Sequence, residues 1–405
     1  MAPTATHPAV AELSRARQLT DSLFAEIGPD AWFQRPIPER HRIVFYLGHL
    51  EAFDWRQIAH EGLGLPALSP PLDDLFAFGI DPPKGQLPRD AVNDWPSVEE
   101  ARAYGVRVRG CLGELLDEAP EDALDMAIEH RLMHAETLAY MLHNLPLEQR
   151  TFRIARPAPA GPSPDLEMVP IPGGAVTLGR RRGEGFGWDN EFEAHEGRVS
   201  DFAMSRYKVT NGQYLAFVRE GGPAPFYWTG RSDGWLLRGY FGLEPLPEDR
   251  PVLVTKREAD AFASWAGKRL PSEAEFHRSA FGTHEGHERP FPWGEAHPSL
   301  RLGNFDFARR DLDAVTAHPE GASAFGVEQL VGNGWEWTST LFRPFPGFLP
   351  HAGYPGYSAP FFDETHYVLK GASPVTDRRL LRRSFRNWFR EDYPYMYGTF
   401  HLVED

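Results

Sequence analysis

The chain has 405 residues, enough for two or three domains, and 41% of them are hydrophobic, which excludes an intrinsically disordered protein. The formal net charge of -15 argues against nucleic acid or an anionic membrane as a partner. Cys111 is the only cysteine, which excludes an intramolecular disulfide and a zinc site of several cysteines and fits a cytoplasmic protein.

The N-terminal part of the chain has the hydrophobic periodicity of a helical bundle. Residues 1–7 lack the basic and apolar segments of a signal peptide, and no later run is apolar over the roughly 20 residues that cross a bilayer. Ser97 and Glu100 form a capping box at the start of one helix. A connection at 62–96, rich in Pro and Asp, is long enough to be functional or to cover a site. The predicted helices span residues 10–27, 39–61, 97–118 and 121–145.

Two histidines four residues apart mark the last of these helices. His130 and His134 would lie one turn apart on one face, where their nitrogens can bind one metal ion. A third ligand should come from another helix, and the best candidate is His49. Glu136 is a candidate acceptor for an imidazole N–H, with a solvated helix residue as the equal alternative. Since the chain has 16 histidines, ordinary core or surface histidines are the alternative interpretation of the whole pattern.

Residues 155–165 are rich in Pro and predict an extended linker between a domain at 1–154 and a second domain at 166–405. The second domain begins with short strands near 168–179 and 202–209.

Two helices follow these strands, one after Thr210 and one over 256–265. Beyond residue 270 we expect mostly irregular structure, held by buried aromatic side chains. The alternating Tyr393, Tyr395 and Tyr397 predict one further strand.

Five short stretches of the second domain carry a family resemblance, and the Arg-Leu-Pro-Ser-Glu-Ala-Glu type of motif is the most specific of them. They are Met168-Val-Pro-Ile-Pro-Gly-Gly, Tyr207-Lys-Val-Thr-Asn-Gly-Gln-Tyr, Ala266-Gly-Lys-Arg-Leu-Pro-Ser-Glu-Ala-Glu-Phe, Gly332-Asn-Gly-Trp-Glu-Trp-Thr and Leu369-Lys-Gly-Ala-Ser. This domain resembles the formylglycine-generating-enzyme/sulfatase-modifying-factor family. The resemblance implies a C-type-lectin-like fold and, with the bundle, an α+β protein. Formylglycine-generating members use two cysteines with copper, so that activity is not expected here.

The helical half resembles the DinB-like four-helix bundle, whose members bind a metal through three histidines that match His49, His130 and His134. A DinB-like bundle followed by a formylglycine-type domain, with Ser384-Phe-Arg-Asn-Trp near the C-terminus, resembles the layout of the ergothioneine-type sulfoxide synthases. These are non-haem iron enzymes that join a sulfur donor to C2 of the imidazole of hercynine. The resemblance implies Fe(2+) as cofactor, and hercynine, a selenosugar or thiol donor and O2 as partners.

Several positions depart from the family pattern. Phe389 replaces an Asp that helps bind gamma-glutamylcysteine, which disfavours that donor. Phe345 stands where an active-site Tyr is expected, so the catalytic residue is unknown, and Tyr354 is the alternative phenol. Met133 replaces a Gln that bonds the substrate imidazole. The sequence over 386–400 resembles a separate branch, which includes the selenoneine synthases that use a selenosugar.

A trimethylammonium group favours aromatic faces, and an amide such as that of Asn387 can bond a carboxylate. Core packing is the alternative for each aromatic, because 13% of all residues are aromatic. The substrate-binding candidates are Asn387, Trp388, Phe345, Phe348, Phe389 and Arg390.

We therefore expect a selenoneine synthase-like enzyme that forms a C–Se or C–S bond at the imidazole of hercynine. Three neutral imidazoles leave up to three positions open on an octahedral Fe(2+) ion. The alternatives are a sulfoxide synthase that uses cysteine or gamma-glutamylcysteine, a zinc-dependent DinB-like thiol transferase, and a non-catalytic lectin-like binding protein.

Overall fold

The computed structural model describes residues 8–77, 86–151 and 160–405. The chain divides into two compact units, Met1–Arg153 and Ile154–Asp405. Three segments discussed above lie wholly or partly outside the described residues. They are residues 1–7, the connection at 62–96 and the start of the predicted linker. The predicted domain limits stay a prediction. Within the described ranges, no helix has the length and apolar character that crossing a membrane requires.

The first unit is helical, and the four long helices predicted from the sequence are confirmed. Its α-helices are α1 (Pro8–Phe24), α2 (Ile43–Asp54), α3 (Pro70–Leu75), α4 (Val98–Gly113) and α5 (Glu121–Asn144). The capping box of Ser97 and Glu100 opens α4 as predicted. The second helix begins later than predicted, because Arg42 is extended and its side chain bonds the Phe33 carbonyl and Asp90. A π-helical segment, Trp55–Glu61, continues α2.

A buried ion network ties the helices of the first unit together. Arg131 on α5 is fully buried and donates to Asp54 at the end of α2 (2.8 Å), which also accepts from Arg17 of α1 (2.9 Å). Glu51 of α2 accepts from Arg109 of α4 (2.7 Å). Burial raises the pKa of Glu51, but Arg131 and Arg109 outweigh it and lower the pKa, so this carboxylate stays ionised at neutral pH.

The second unit contains three helices with hydroxyl N-caps. They are α6 (Asn211–Arg219), α7 (Lys256–Trp265) and α8 (Glu273–Phe281), capped by Thr210, Thr255 and Ser272. The first two were predicted and are confirmed. The third was not predicted, and it lies beyond residue 270, where mostly irregular structure was expected. Ser272 and Glu275 form a capping box there, a signal that was visible in the sequence.

Short strands form the sheets of the second unit, in the orders β1-β4-β12, β10-β9-β8-β11, β2-β3 and β5-β6-β7. The two strands predicted at 168–179 exist but pair with other strands instead of each other. The predicted tyrosine strand is wrong, because residues 393–397 form irregular backbone with a bend at 395–396. The strands are β1 (Met168–Ile171), β2 (Gly174–Leu178), β3 (His195–Val199), β4 (Phe202–Ser205), β5 (Trp228–Arg231), β6 (Gly234–Gly239), β7 (Gly242–Pro245), β8 (Gly334–Leu341), β9 (His366–Ala372), β10 (Asn387–Arg390), β11 (Gly398–Thr399) and β12 (Val403–Glu404).

A helical unit followed by a sheet-rich unit confirms the expected α+β class. In the first unit, the connection between α2 and α4 packs tightly on α2. A Cβ atom on Gly48 would lie 2.3 Å from ring carbons of Phe76, so only glycine admits this ring. Phe76 itself is fully buried just after α3.

This contact predicts opposite effects for two Gly→Ala substitutions. Gly48→Ala should lower the free energy of unfolding by about 1–3 kcal/mol, because the added methyl displaces Phe76. Gly110→Ala in α4 should raise it by up to about 1 kcal/mol, since no described atom lies within 4 Å of the new Cβ and alanine favours a helix. Urea unfolding followed by far-UV circular dichroism measures both changes. Equal effects of the two substitutions would contradict the packing argument.

Candidate metal centre

His49 of α2 and His130 and His134 of α5 come together in the first unit. Their candidate ligand nitrogens all lie within 4.8 Å of one another, and the Nε2 atoms of His49 and His134 are 3.2 Å apart. Two imidazole nitrogens on one metal ion, each about 2.1 Å from it, are separated by about 3.0–3.4 Å. The structure therefore brings the three predicted ligands to a distance that suits one ion.

The protonation of His49 follows from its hydrogen bond. Its Nδ1 lies 2.7 Å from the backbone carbonyl of Phe76, which can only accept, so Nδ1 carries the proton. The lone pair is then on Nε2, the nitrogen that faces His134. The carbonyl thus orients the ring and selects the tautomer that binds a metal. Phe76 belongs to the long connection that was expected to cover a site.

Burial keeps the three imidazoles neutral. It lowers the pKa of His49 from 6.5 to about 4, and it holds the pKa values of His130 and His134 well below the usual range. The charge of nearby Arg131 lowers all three further. Neutral imidazole is the form that binds metal, so no proton has to leave before an ion enters.

Aromatic side chains form the walls around the three imidazoles. Phe53 stacks on His130 (3.4 Å between ring centroids, 8° between planes), and Phe45 stacks on His49 (4.7 Å, 21°). The ring of Tyr46 lies 5.6 Å from that of His134. Phe45, His49 and Phe53 are spaced four residues apart, a helical pattern that could have revealed these walls in the sequence.

Glu136 lies buried on α5, one turn from Leu132. The acceptor that the structure provides for His49 is the Phe76 carbonyl, and the Nδ1 of His134 has no hydrogen-bond partner among the described residues. The role of Glu136 beside an imidazole therefore stays a prediction. The carbonyl of Phe76 was missed, because a backbone group distant in sequence leaves no residue pattern.

In the second unit, the predicted substrate residues are distributed over both faces of β10. Asn387 and Phe389 alternate with Trp388 and Arg390 along this strand, so the two pairs project to opposite faces. Asn387 accepts the backbone N–H of Trp388 with its own side chain (2.9 Å). Phe389 stacks on Tyr393 (4.8 Å, 15°). The pleat thus separates Phe389 from Trp388.

Trp388 packs among aromatic rings that the sequence did not suggest. It stacks on Phe342 (4.3 Å, 7°) and contacts Tyr357 edge-on (5.3 Å, 81°) and Phe361 (5.5 Å). Tyr357 in turn stacks on Trp188 (4.0 Å). These contacts join segments that are distant in the chain, so no local spacing of residues predicts them.

Phe345 and Phe348 have other neighbours. The guanidinium of Arg386 lies 4.0 Å from the ring centre of Phe345, and His195 contacts the same ring at 4.4 Å. Phe348 meets Phe362 edge-on (5.1 Å, 85°). Phe362 also contacts Phe342, the ring on which Trp388 stacks, and Arg386 lies over both Phe342 and Phe345. One cluster of side chains therefore connects Trp388, Phe345 and Phe348, and their role in substrate binding stays a prediction.

Comparison with known proteins finds relatives for both units. A DinB superfamily model matches residues 12–145, and a sulfatase-modifying factor enzyme 1-like domain model matches residues 153–405. A hercynine oxygenase of Mycolicibacterium smegmatis is 39% identical in an alignment that covers 73% of this chain and 74% of that protein. The hercynine oxygenase of Mycobacterium tuberculosis is 36% identical in an alignment that covers 74% of this chain and 75% of that protein. Ergothioneine biosynthesis protein 1 of Neurospora crassa is 27% identical in an alignment that covers 92% of this chain and 55% of that protein.

The three-histidine geometry predicts a metal site that depends on each imidazole. His130→Gln should weaken binding of a divalent first-row metal by at least about a hundredfold, more than loss of an outer partner costs. His60→Gln is the matched control, because His60 follows α2, is exposed and bonds the Leu65 carbonyl (2.7 Å). Metal analysis after anaerobic loading and gel filtration measures the stoichiometry. Full retention of metal by the His130→Gln variant, or equal loss of metal in the two variants, would contradict the proposed metal site.

Proposed function

The chain belongs to the ergothioneine-type sulfoxide synthase family, and we propose that it is a non-haem iron(II), O2-dependent enzyme that bonds selenium or sulfur to C2 of the imidazole of hercynine. The observation that carries this proposal is the group of three neutral imidazoles, His49, His130 and His134, which lie within reach of one ion. The names of the relatives supply the substrate, since two of them are called hercynine oxygenase.

Within the family, we propose a selenosugar as the donor. Phe389 stands where members that bind gamma-glutamylcysteine have an Asp, and its ring stacks on Tyr393, so this position offers no carboxylate to a donor. Phe345 offers no phenol, and Arg386 lies against its ring. A selenolate is oxidised more readily than a thiolate and has less need of a phenol that donates a proton or an electron.

The residues of the first unit would hold the iron and keep the site dry. The Phe76 carbonyl keeps the proton of His49 on Nδ1, which leaves Nε2 free to bind the metal. Phe45 and Phe53 cover the faces of two imidazoles and fix their planes. When bound, ferrous iron supplies open coordination positions and the redox chemistry that O2 activation requires.

The proposed reaction balances without a further reductant. The C2–H bond of hercynine and the Se–H bond of the donor break, and a C–Se bond forms. O2 accepts four electrons from the two substrates: one oxygen atom leaves as water with both hydrogens, and the other is bonded to selenium. A thiol donor gives the sulfoxide by the same stoichiometry. In the second unit we propose that Trp388 and Arg390 contribute to substrate binding from one face of β10 and that Asn387 contributes from the other.

A zinc-dependent thiol transferase is the second candidate for the same three histidines, because three His and a water also make a catalytic zinc site. A sulfoxide synthase using cysteine or gamma-glutamylcysteine is the candidate closest to the proposal. A lectin-like binding protein is the non-catalytic candidate. The metal that supports the reaction and the donor that reacts distinguish these candidates from the proposed enzyme.

The first test supplies both metals and all donors. The metal-free protein is loaded anaerobically with Fe(II) or Zn(II), then given hercynine, O2 and a selenosugar, cysteine or gamma-glutamylcysteine. We expect a product with the mass of hercynine plus donor plus one oxygen minus two hydrogens, only with iron and at least about tenfold faster with the selenosugar. His130→Gln is the inactive control. Donor transfer with zinc and no O2 consumption would favour the transferase, and faster reaction with a thiol would reject the selenosugar.

A second test restores the missing phenol. Phe345→Tyr should increase the ratio of coupled product to simply oxidised donor when the donor is a thiol, because a proton or electron source returns. The ratio with a selenosugar should stay unchanged. Phe348→Tyr is the matched control, since it adds a phenol in the same loop. Mass analysis of both products gives the ratio, and no change with thiol donors would count against the role assigned to this position.

A further inference from the structure

A buried arginine stands directly beside the candidate metal ligands. Arg131 follows His130 on α5 and is fully buried. One of its nitrogens, Nη2, donates both to the carbonyl oxygen of Leu50 (3.0 Å) and to Oδ2 of Asp54 (2.8 Å). Leu50 directly follows the ligand of α2, His49. A single nitrogen atom therefore joins the residues next to two metal ligands that lie on separate helices.

The two carboxylates near Arg131 do not depend on it for charge compensation. Oδ2 of Asp54 also accepts from Arg17 of α1 (2.9 Å), and Oε1 of Glu51 accepts from Arg109 of α4 (2.7 Å). Each carboxylate therefore keeps an arginine partner if Arg131 is removed. Ion pairs often do not recover the cost of burying a guanidinium, and the best-attested reason to retain such a group is that it fixes the register of two helices. Within this group of three arginines, Arg131 is the one that bridges α5 and α2.

We propose that Arg131 is a positioning residue for the metal ion, because its link from α5 to α2 sets the distance between His49 and the two ligands of α5. The Nε2 atoms of His49 and His134 are 3.2 Å apart, which suits one ion. Bonds from nitrogen to metal tolerate deviations of only about 0.2 Å. A shift of about 1 Å between the helices would therefore take an imidazole out of bonding range. The proposal rests on the metal site that the proposed function uses, but not on the reaction or its substrates.

The charge of Arg131 and its position have opposite effects on metal binding. A guanidinium repels a divalent ion, so electrostatics alone would make the ion bind more tightly once the charge is removed. Loss of the link between the helices would make the ion bind more weakly, because the three imidazoles would no longer meet at one point. The sign of the change in affinity therefore distinguishes positioning from a purely electrostatic effect.

The test measures Co(II) binding to the full-length, metal-free protein without O2, by titration against a competing chelator at neutral pH. We expect Arg131→Met to weaken binding by about tenfold to a hundredfold, the range seen when a group that orients a metal ligand is removed. The visible spectrum of bound Co(II) should change as well, since it depends on the coordination geometry. An affinity that is unchanged or increased in Arg131→Met would overturn the proposal.

Arg17→Met is the matched control. This substitution also removes one positive charge and one arginine partner of Asp54, but Arg17 lies on α1, which carries none of the three ligands. The Co(II) affinity should stay within about threefold of that of the unaltered protein, with the same spectrum. Weakening equal to that in Arg131→Met would overturn the positioning role, because a general loosening of the ion network would then explain both results.

Arg131→Lys decides the question if circular dichroism shows that Arg131→Met is unfolded. Lysine keeps the charge, but the path from its Cβ to its ammonium nitrogen is one bond shorter than the path to Nη2 of arginine. We expect Co(II) binding at least about threefold weaker than in the unaltered protein, and an unchanged affinity would overturn the proposal.

The outcomes separate this proposal from the proposed function, because hercynine, donor and O2 are absent from the titration. Normal Co(II) binding by Arg131→Met would overturn the positioning role and leave the proposed reaction intact. Absence of the proposed product, with the expected loss of affinity in Arg131→Met, would overturn the reaction and leave the positioning role intact. Failure of the unaltered protein to bind Co(II) would overturn the metal site and both proposals.

Discussion

The hydrogen bonds of one buried arginine hold the two ligand-bearing helices together. Arg131 follows His130 directly on α5, and its Nη2 donates to the carbonyl of Leu50 (3.0 Å), which follows His49 directly on α2. The same nitrogen donates to Asp54 (2.8 Å). A buried guanidinium must be paired, because an unpaired charge there costs several kcal/mol. The need to pair Arg131 therefore fixes α5 against α2 at the level where the imidazoles meet.

Local patterns in the sequence predicted the features that depend on neighbouring residues. The capping box at Ser97 and the threonines at 210 and 255 placed helix starts correctly, since a cap involves groups three residues apart. His130 and His134 were likewise paired by helix geometry. Neglect of the same cap at Ser272 led to the missed α8. The tyrosines at 393–397 show the converse error, because they alternate in a segment that forms irregular backbone and no strand.

Features that join distant segments could not be read from spacing. The Phe76 carbonyl reaches His49 because Gly48 lets the connection pack on α2, and neither fact leaves a periodic pattern. Trp388 was a candidate, but its neighbours Phe342 and Tyr357 both lie in the connection between β8 and β9, far from Trp388 in the sequence. The opposite orientations of Phe389 and Trp388 could have been predicted from the sequence, since strand alternation alone separates the two side chains.

The choice of ligands bears on which donor the site would favour. Three neutral imidazoles leave both positive charges of a bound divalent ion uncompensated, whereas a site with one carboxylate ligand would compensate one of them. Asp54 and Glu51 do not change this balance, because they neutralise Arg131, Arg17 and Arg109 instead. In a buried site, where charges interact strongly, such an ion favours an anionic ligand. A selenol loses its proton more readily than a thiol, so the electrostatics of the three-histidine site would favour a selenolate. This preference would add to the one that follows from the easier oxidation of selenium.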